Sequence, residues 1–468
     1  MNRVASILIV LLLLCFSSRA QQNPGAIAPL TALAPLQESV INIPVKINVK
    51  PYLLQAEAMT PTEFLSEGWP GYIQSSCDFR YKYRFLREGL GVSCINNKFI
   101  VTFSGAYQIA GGKTICTFGK QMSPWISGSC GFGSEPMRRV QISITSLLAF
   151  QPDYTLKTAT LPEKITPVDK CTVTIFNSDV TQEVIDSIGA SVAAFGNSID
   201  QRVAGLNFSS TLQTLAERTG RKIALKDVGY LKLNPSSVKA GMVNLIKDTM
   251  YFTLGFSCYP EISSDSINNS FTGFLPPLGS AVLAPGFTIN TNAVYDYAAL
   301  DTLLNRSFRN KVLQLEGRTV NIKNIEVRGL DNSQVEVRID FEGDKKGTVY
   351  FTGTPLLDIE KQLITIPDLD FSLHTKDIIL NVGKALFNKK ILGMLRRKGI
   401  LSVSDLYREN KLRVDSLLNR VVTTGITTAG RTTDFKVTGL VVKKDNLLLQ
   451  TSVSGEMEVL VSGYGAKQ

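Results

Sequence analysis

Apolar and polar residues alternate with period two near the start of the chain. Ile41, Ile43, Val45, Ile47 and Val49 are separated by Asn42, Pro44, Lys46 and Asn48. Successive side chains of an extended chain point to opposite sides, so this spacing predicts a strand with one buried face. Pro44 has no N–H to donate and predicts an edge or a bulge there. Pro51 opens a helix-compatible stretch from Tyr52 to Leu65 that carries Leu53, Leu54 and Met59. The same order returns at Phe287, where FTINTNAVYDY runs into AALDTLLNRSFRNKVLQL and Leu303-Leu304 takes the place of Leu53-Leu54.

Further alternations follow each copy. RYKYRF sets Tyr81, Tyr83 and Phe85 against Arg80, Lys82 and Arg84. Phe99, Val101 and Phe103, then Val140, Ile142 and Ile144, predict two more strands, and Val335, Val337, Ile339 and Phe341 alternate with Glu336, Arg338 and Asp340. Strands are also expected near 317–328, 347–354 and 361–366, with turns at Asp331-Asn332-Ser333 and Glu342-Gly343-Asp344. The period changes at Val184, Ile188, Val192, Phe195, Ile199 and Val203, which fall on one helical stripe. Asp179 or Thr181 suits its start. Thr211 to Arg218, Lys376 to Arg397 and Ser402 to Val422 are the other helical segments, with Ser402 or Ser404 as a cap. Strands close each copy, from Tyr230 and from Phe435.

The expected fold class is therefore α+β. It consists of two tandem tubular units, each a curved antiparallel sheet wrapped around long helices. The first covers residues 39–275 and the second 287–468, with a Pro- and Gly-containing linker at 276–286.

Composition narrows the picture. The 468 residues are 44% hydrophobic and 19% charged, which excludes a disordered chain. Residues 1–20 read as a signal peptide: Arg3, the short apolar run Ile7 to Phe16, then Ser18 and Ala20 before Gln21. Residues 21–38 are a leader segment. An exported chain in the periplasm or cell envelope follows. Cys77, Cys94, Cys116, Cys130, Cys171 and Cys258 remain, and an even number in an exported chain points to disulfides. Sequential pairing, Cys77–Cys94, Cys116–Cys130 and Cys171–Cys258, is the expected one, although spacing leaves the other pairings open.

The segment GTPLLDIEKQLITIPDLDFSLHTKDIILNVGKALFNKKI at 353–391 is similar to the C-terminal signature of the bacterial domain-of-unknown-function family 4403. DFRYKYRF near residue 80 and YLKLNPSSV near residue 230 carry the same resemblance, with Tyr230 where that family has Trp. The order strand, helix, sheet, helix, occurring twice, resembles the tubular lipid-binding superfamily, which includes bactericidal/permeability-increasing protein. That resemblance implies an apolar groove for acyl chains.

Candidate chemistry is sparse. The single histidine, His374, has no triad partner in any motif, and no GxSxG, HExxH, Walker A or GxGxxG pattern is present. Asp358, Asp368, Asp370 and Asp377 form a local acidic run that reads as turns and a helix cap rather than as a metal or acid/base site. No enzymatic activity and no cofactor or metal are expected. A lipid or hydrophobic small molecule is the expected partner. Its groove candidates are Val184, Ile188, Val192 and Phe195, then Ile378, Ile379, Val382, Leu386 and Phe387, all of which also read as ordinary core. Lys389, Lys390, Arg396, Arg397 and Lys398 resemble a membrane-surface patch or a solvated helix end. The formal charge of +10 is spread along the chain without a nucleic-acid motif. The rival reading is a structural or protein-binding envelope protein whose units are fully packed.

Overall fold

The computed structural model describes residues 28–173, 178–205, 223–225, 229–263, 276–315, 318–343, 346–375 and 400–462. Twelve strands carry most of the architecture. They are β1 (Ser39–Asn48), β2 (Phe79–Arg87), β3 (Lys98–Lys113), β4 (Arg138–Phe150), β5 (Leu156–Pro167), β6 (Thr249–Cys258), β7 (Gly286–Asp296), β8 (Arg318–Gly329), β9 (Val335–Gly343), β10 (Gly347–Gly353), β11 (Ile426–Val442) and β12 (Asn446–Val461). Four α-helices stand among the described residues: α1 (Lys50–Met59), α2 (Thr181–Ala204), α3 (Tyr297–Phe308) and α4 (Val403–Leu418).

β1 joins the two halves of the chain. It runs antiparallel to β6 along its whole length, antiparallel to β7 at residues 40–42, and parallel to β12 at residues 45–47. Strands from both halves thereby belong to one 20-stranded sheet. This corrects the expected α+β class. The chain is mostly β, and its main sheet curls as a half-barrel; it is not a pair of tandem tubes wrapped around helices. The physical reason is backbone pairing. Each edge of β1 finds its partners in a different half, and a shared ladder satisfies N–H and C=O groups that two separate tubes would leave exposed. Leu278–Ser280, inside the segment read as a linker, forms a short strand parallel to Pro235–Ala240.

The strands expected from alternation form, and several are longer than the pattern showed. β3 takes β2, β4 and the short strands Gly91–Ile95 and Ile126–Cys130 as antiparallel partners. β11 and β12 pair from Ile426↔Val461 to Val442↔Leu447. β8, β9 and β10 belong to a separate five-stranded sheet. A core of Tyr295, Leu300, Leu304, Ile322, Ile325 and Ile339, with Val437 and Leu440 from β11, lies between that sheet and the main one.

Each helix is fastened by an acidic side chain that accepts a backbone N–H from outside the helix. Glu57 Oε2 accepts from Leu90 at 2.9 Å, Asp200 Oδ2 from Thr160 at 2.9 Å, Asp301 Oδ1 from Val327 at 2.5 Å, and Asp415 Oδ1 from Thr432 at 2.7 Å. Three of these donors lie in strands, at an edge or a bulge where the ladder leaves an N–H without a strand partner. At α1 the device is extended by the buried Arg87, which donates to Glu57 Oε1 at 2.5 Å and to the carbonyls of Glu57, Thr60 and Pro61 at 2.9, 2.7 and 2.9 Å. That satisfies acceptors that a helix end leaves open.

The caps follow the expected residues in part. Ser402 Oγ accepts the Asp405 N–H at 3.1 Å and caps α4. Val180 precedes α2, and Asp179 accepts the Thr181 N–H at 3.0 Å from one position further out. The expected helices at Thr211 to Arg218 and Lys376 to Arg397 lie outside the described residues, as does the signal segment 1–20.

The disulfides are Cys77–Cys116 and Cys130–Cys171, which corrects the sequential pairing. Cys94 and Cys258 are buried free thiols. The three expected bridges failed because β pairing, not closeness in sequence, sets which cysteines meet: β3 carries Cys116 back beside the start of β2. Burial pushes both free thiols up to about 11, where they stay protonated at neutral pH. Two disulfides fit an oxidising compartment of the kind exported proteins meet.

Candidate functional site

α2 was the expected wall of an apolar groove. Its Val184 is buried among Tyr107, Cys130, Val140, Ile142 and Ile144, and Ile188 and Val192 pack against the same cluster. Phe195 does not join them: it is 56% exposed. The helix meets the sheet instead through Gly196, where a Cβ would stand 2.8 Å from the Thr160 carbonyl oxygen. Asp200 then receives hydrogen bonds from Thr158 Oγ1 at 2.7 Å, Thr160 Oγ1 at 2.6 Å and the Thr160 N–H. Burial works to raise the Asp200 carboxyl, but these donors outweigh it and hold it below the usual range. This end of α2 is closed by packing. A shallow depression of about 390 Å3 lies beyond it at Gln151, Pro152, Leu156 and Ala204, with Asp153 and Lys157 at its side.

The open apolar surface lies on β1 and β6. Directly paired residues share a sheet face, and the register sets Ile41 beside Phe256, Ile43 beside Leu254, Val45 beside Phe252 and Ile47 beside Met250. The row continues through Val238 and Ala240 on one side and Val459 and Val461 on the other. At one end it is covered, since Met250 and Phe252 pack against the buried cluster of Cys94, Val243 and Leu245, which Phe99, Leu148 and Phe150 also join. At the other end it is not: Ile41, Ile43 and Phe256 are only half-buried and Leu254 is 41% exposed. The period-two pattern in β1 marked half of this strip. Its other half, on β6, was legible as a strand but not as the neighbour of β1.

Ile378, Ile379, Val382, Leu386 and Phe387 lie outside the described residues. So do the basic residues Lys389, Lys390, Arg396, Arg397 and Lys398.

The acidic run separates into structural roles. Asp368 accepts from the Thr354 N–H at 2.6 Å, Thr354 Oγ1 at 2.7 Å and Gln334 Nε2 at 3.2 Å. Burial raises its carboxyl, and these donors more than offset that. Asp358 is lowered chiefly by the Lys361 N–H, which it accepts at 2.9 Å. Asp370 and His374 stand on the strand Asp370–Thr375, where His374 pairs with Thr348 of β10. Asp377 lies outside the described residues. Among the described residues no group of three or more His, Cys, Asp and Glu side chains is placed to hold a metal.

The RYKYRF strand separates its two faces as expected. Tyr81 stacks between Phe79 and Tyr83 at centroid distances of 6.0 and 6.4 Å. On the other face the Arg80 guanidinium lies 4.3 Å from the Tyr72 ring and 4.6 Å from Trp125, and Lys82 lies 4.8 Å from Tyr72 and 5.3 Å from Phe132. Arg84 pairs with Glu63 at 2.6 Å. Both cations thus have aromatic partners that bind the segments around residues 72, 125 and 132 onto the sheet.

The family described as Domain of unknown function (DUF4403) has a profile that matches residues 37–461. No curated protein matches the chain.

Proposed function

The chain belongs to domain-of-unknown-function family 4403, and we propose that it is an exported, non-enzymatic protein that binds acyl-chain lipids or other hydrophobic ligands. The observation that carries this reading is the half-covered strip of Ile41, Ile43, Leu254 and Phe256 on the β1–β6 face. Large apolar side chains arranged in a row on a curled sheet offer a ligand continuous contact and need few polar groups. Each Å2 of apolar area removed from water contributes about 25 cal/mol, so covering the strip with an acyl chain offsets part of the cost of taking that chain from a bilayer. The signal-like N-terminus and the disulfides support a periplasmic or envelope location.

A second reading, a protein-binding or structural envelope component, is favoured by the close seating of Gly196 on Thr160. Organic extraction of the purified native protein followed by lipid mass spectrometry separates the two, together with uptake of a fluorescent fatty acid. Bound lipid and uptake that is abolished by Leu254→Arg are the expected results. Lipid-free protein that takes up no probe overturns the lipid reading.

A further inference from the structure

We propose that the hairpin around Phe118 inserts into the headgroup region of an anionic lipid bilayer and seats the protein on a membrane surface. The hairpin shares no residue with the β1–β6 strip or with the basic stretch 389–398. Cys116 pairs with Gln121 and Thr117 with Lys120, leaving Phe118 and Gly119 as the two turn residues. Both have positive φ, 55° and 76°. Gly119 adopts that conformation freely, but for a phenylalanine it is unfavourable. The turn nonetheless carries the most exposed large apolar side chain of those described, Phe118, at 101%. Ile115, Met122 and Ile126 around it are each more than half exposed.

These side chains stand on a cross-linked frame. The Cys77–Cys116 disulfide ties the hairpin to the segment leading into β2. The Met122 N–H donates to the Ile115 carbonyl at 2.8 Å, the Ile115 N–H to Ser123 Oγ at 2.9 Å, and Thr114 Oγ1 to the Ser123 carbonyl at 2.6 Å. A frame already ordered loses little entropy when its apolar tip is buried.

Charge selects the occupant. Residues 113–134 contain no Asp or Glu, and Lys113 and Lys120 flank the tip. The carboxylate beside Lys113 is Asp78, held by Ser76 Oγ at 2.6 Å. An apolar tip with lysines behind it matches a bilayer boundary, where acyl chains meet anionic headgroups. An apolar protein surface would account for the tip but not for the lysines and the missing carboxylates.

The test is co-sedimentation of the purified full chain, disulfides intact, with vesicles of phosphatidylglycerol and phosphatidylethanolamine or of phosphatidylcholine alone. Binding to the anionic vesicles is expected, weakening as salt rises. Trp125, at the base of the hairpin, should be quenched by brominated acyl chains. Phe118→Asp with Met122→Asp should lower binding by about tenfold or more, with circular dichroism and both disulfides unchanged; if that pair misfolds, Phe118→Ser alone serves. Wild-type protein that ignores anionic vesicles overturns the proposal, whether or not it captures a protein partner. So does a folded hairpin variant that binds as wild type. The two functional readings separate cleanly: hairpin variants should keep bound lipid, and Leu254→Arg should keep vesicle binding.

Discussion

The Asp415 carboxylate accepts the Thr432 N–H and the Thr432 hydroxyl, both at 2.7 Å, and so fastens α4 to β11 at a bulge in that strand. Lys411 donates to the same carboxylate at 2.7 Å. Burial opposes ionisation of Asp415, but these donors prevail and bring its carboxyl down to about 2.

Asp415→Ala should therefore destabilise the fold by about 1–3 kcal/mol, because Thr432 is buried and both of its donors lose their partner. The folded carboxyl lies below its unfolded value, so its stabilising contribution is present above the unfolded pKa. It is lost as pH falls through about 2. Urea unfolding of wild type and variant should show the full gap above pH 4 and a narrowing gap below it.

Asp301 carries the opposite sign. Burial raises its carboxyl, with Glu326 adding to the rise and the Val327 N–H opposing it. Its contribution is complete below the unfolded pKa and is lost as pH rises through the higher folded value. Asp301→Asn keeps an acceptor for Val327 and removes the ionisation. The variant should gain stability relative to wild type as pH rises from 3 to 7. A difference that stays constant over that range would show that Asp301 is not the titrating group.

Gly196→Val places side-chain atoms against the Thr160 carbonyl, 2.8 Å from the position of a Cβ. Backbone cannot retreat as a flexible side chain would, so α2 must lift. The expected cost is about 1–3 kcal/mol, with faster amide exchange at Thr160. Gly189→Ala, where a Cβ meets Ile165 at 3.6 Å, should cost much less.

Thiol chemistry tests the disulfide pattern. Denatured, unreduced protein should present Cys94 and Cys258 to a thiol reagent, while native protein should react slowly because both are buried. Replacing Cys130 and Cys171 together by Ser should cost about 2–4 kcal/mol, since that bridge ties Ile126–Cys130 to the start of α2. Cys94→Ala should leave both bridges intact by peptide mapping.

Period-two spacing was enough to locate β1, β3, β4 and β9, because an extended chain must alternate its side chains whatever it packs against. The helical stripe from Val184 to Val203 was legible because a helix of about 3.6 residues per turn brings every third or fourth side chain to one face, and Ser402 announced its cap through local hydrogen-bonding chemistry. Pairing was not legible. Nothing local in Ile43 names Leu254 as its neighbour, and nothing in Cys116 names Cys77. Those contacts join residues far apart in sequence, and they follow from which ladders satisfy the most backbone groups together. For that reason local pattern predicted two tubes with helices inside, whereas β1, hydrogen-bonded to β6 on one side and to β7 and β12 from the other half of the chain, makes one curled sheet with the helices pinned along it.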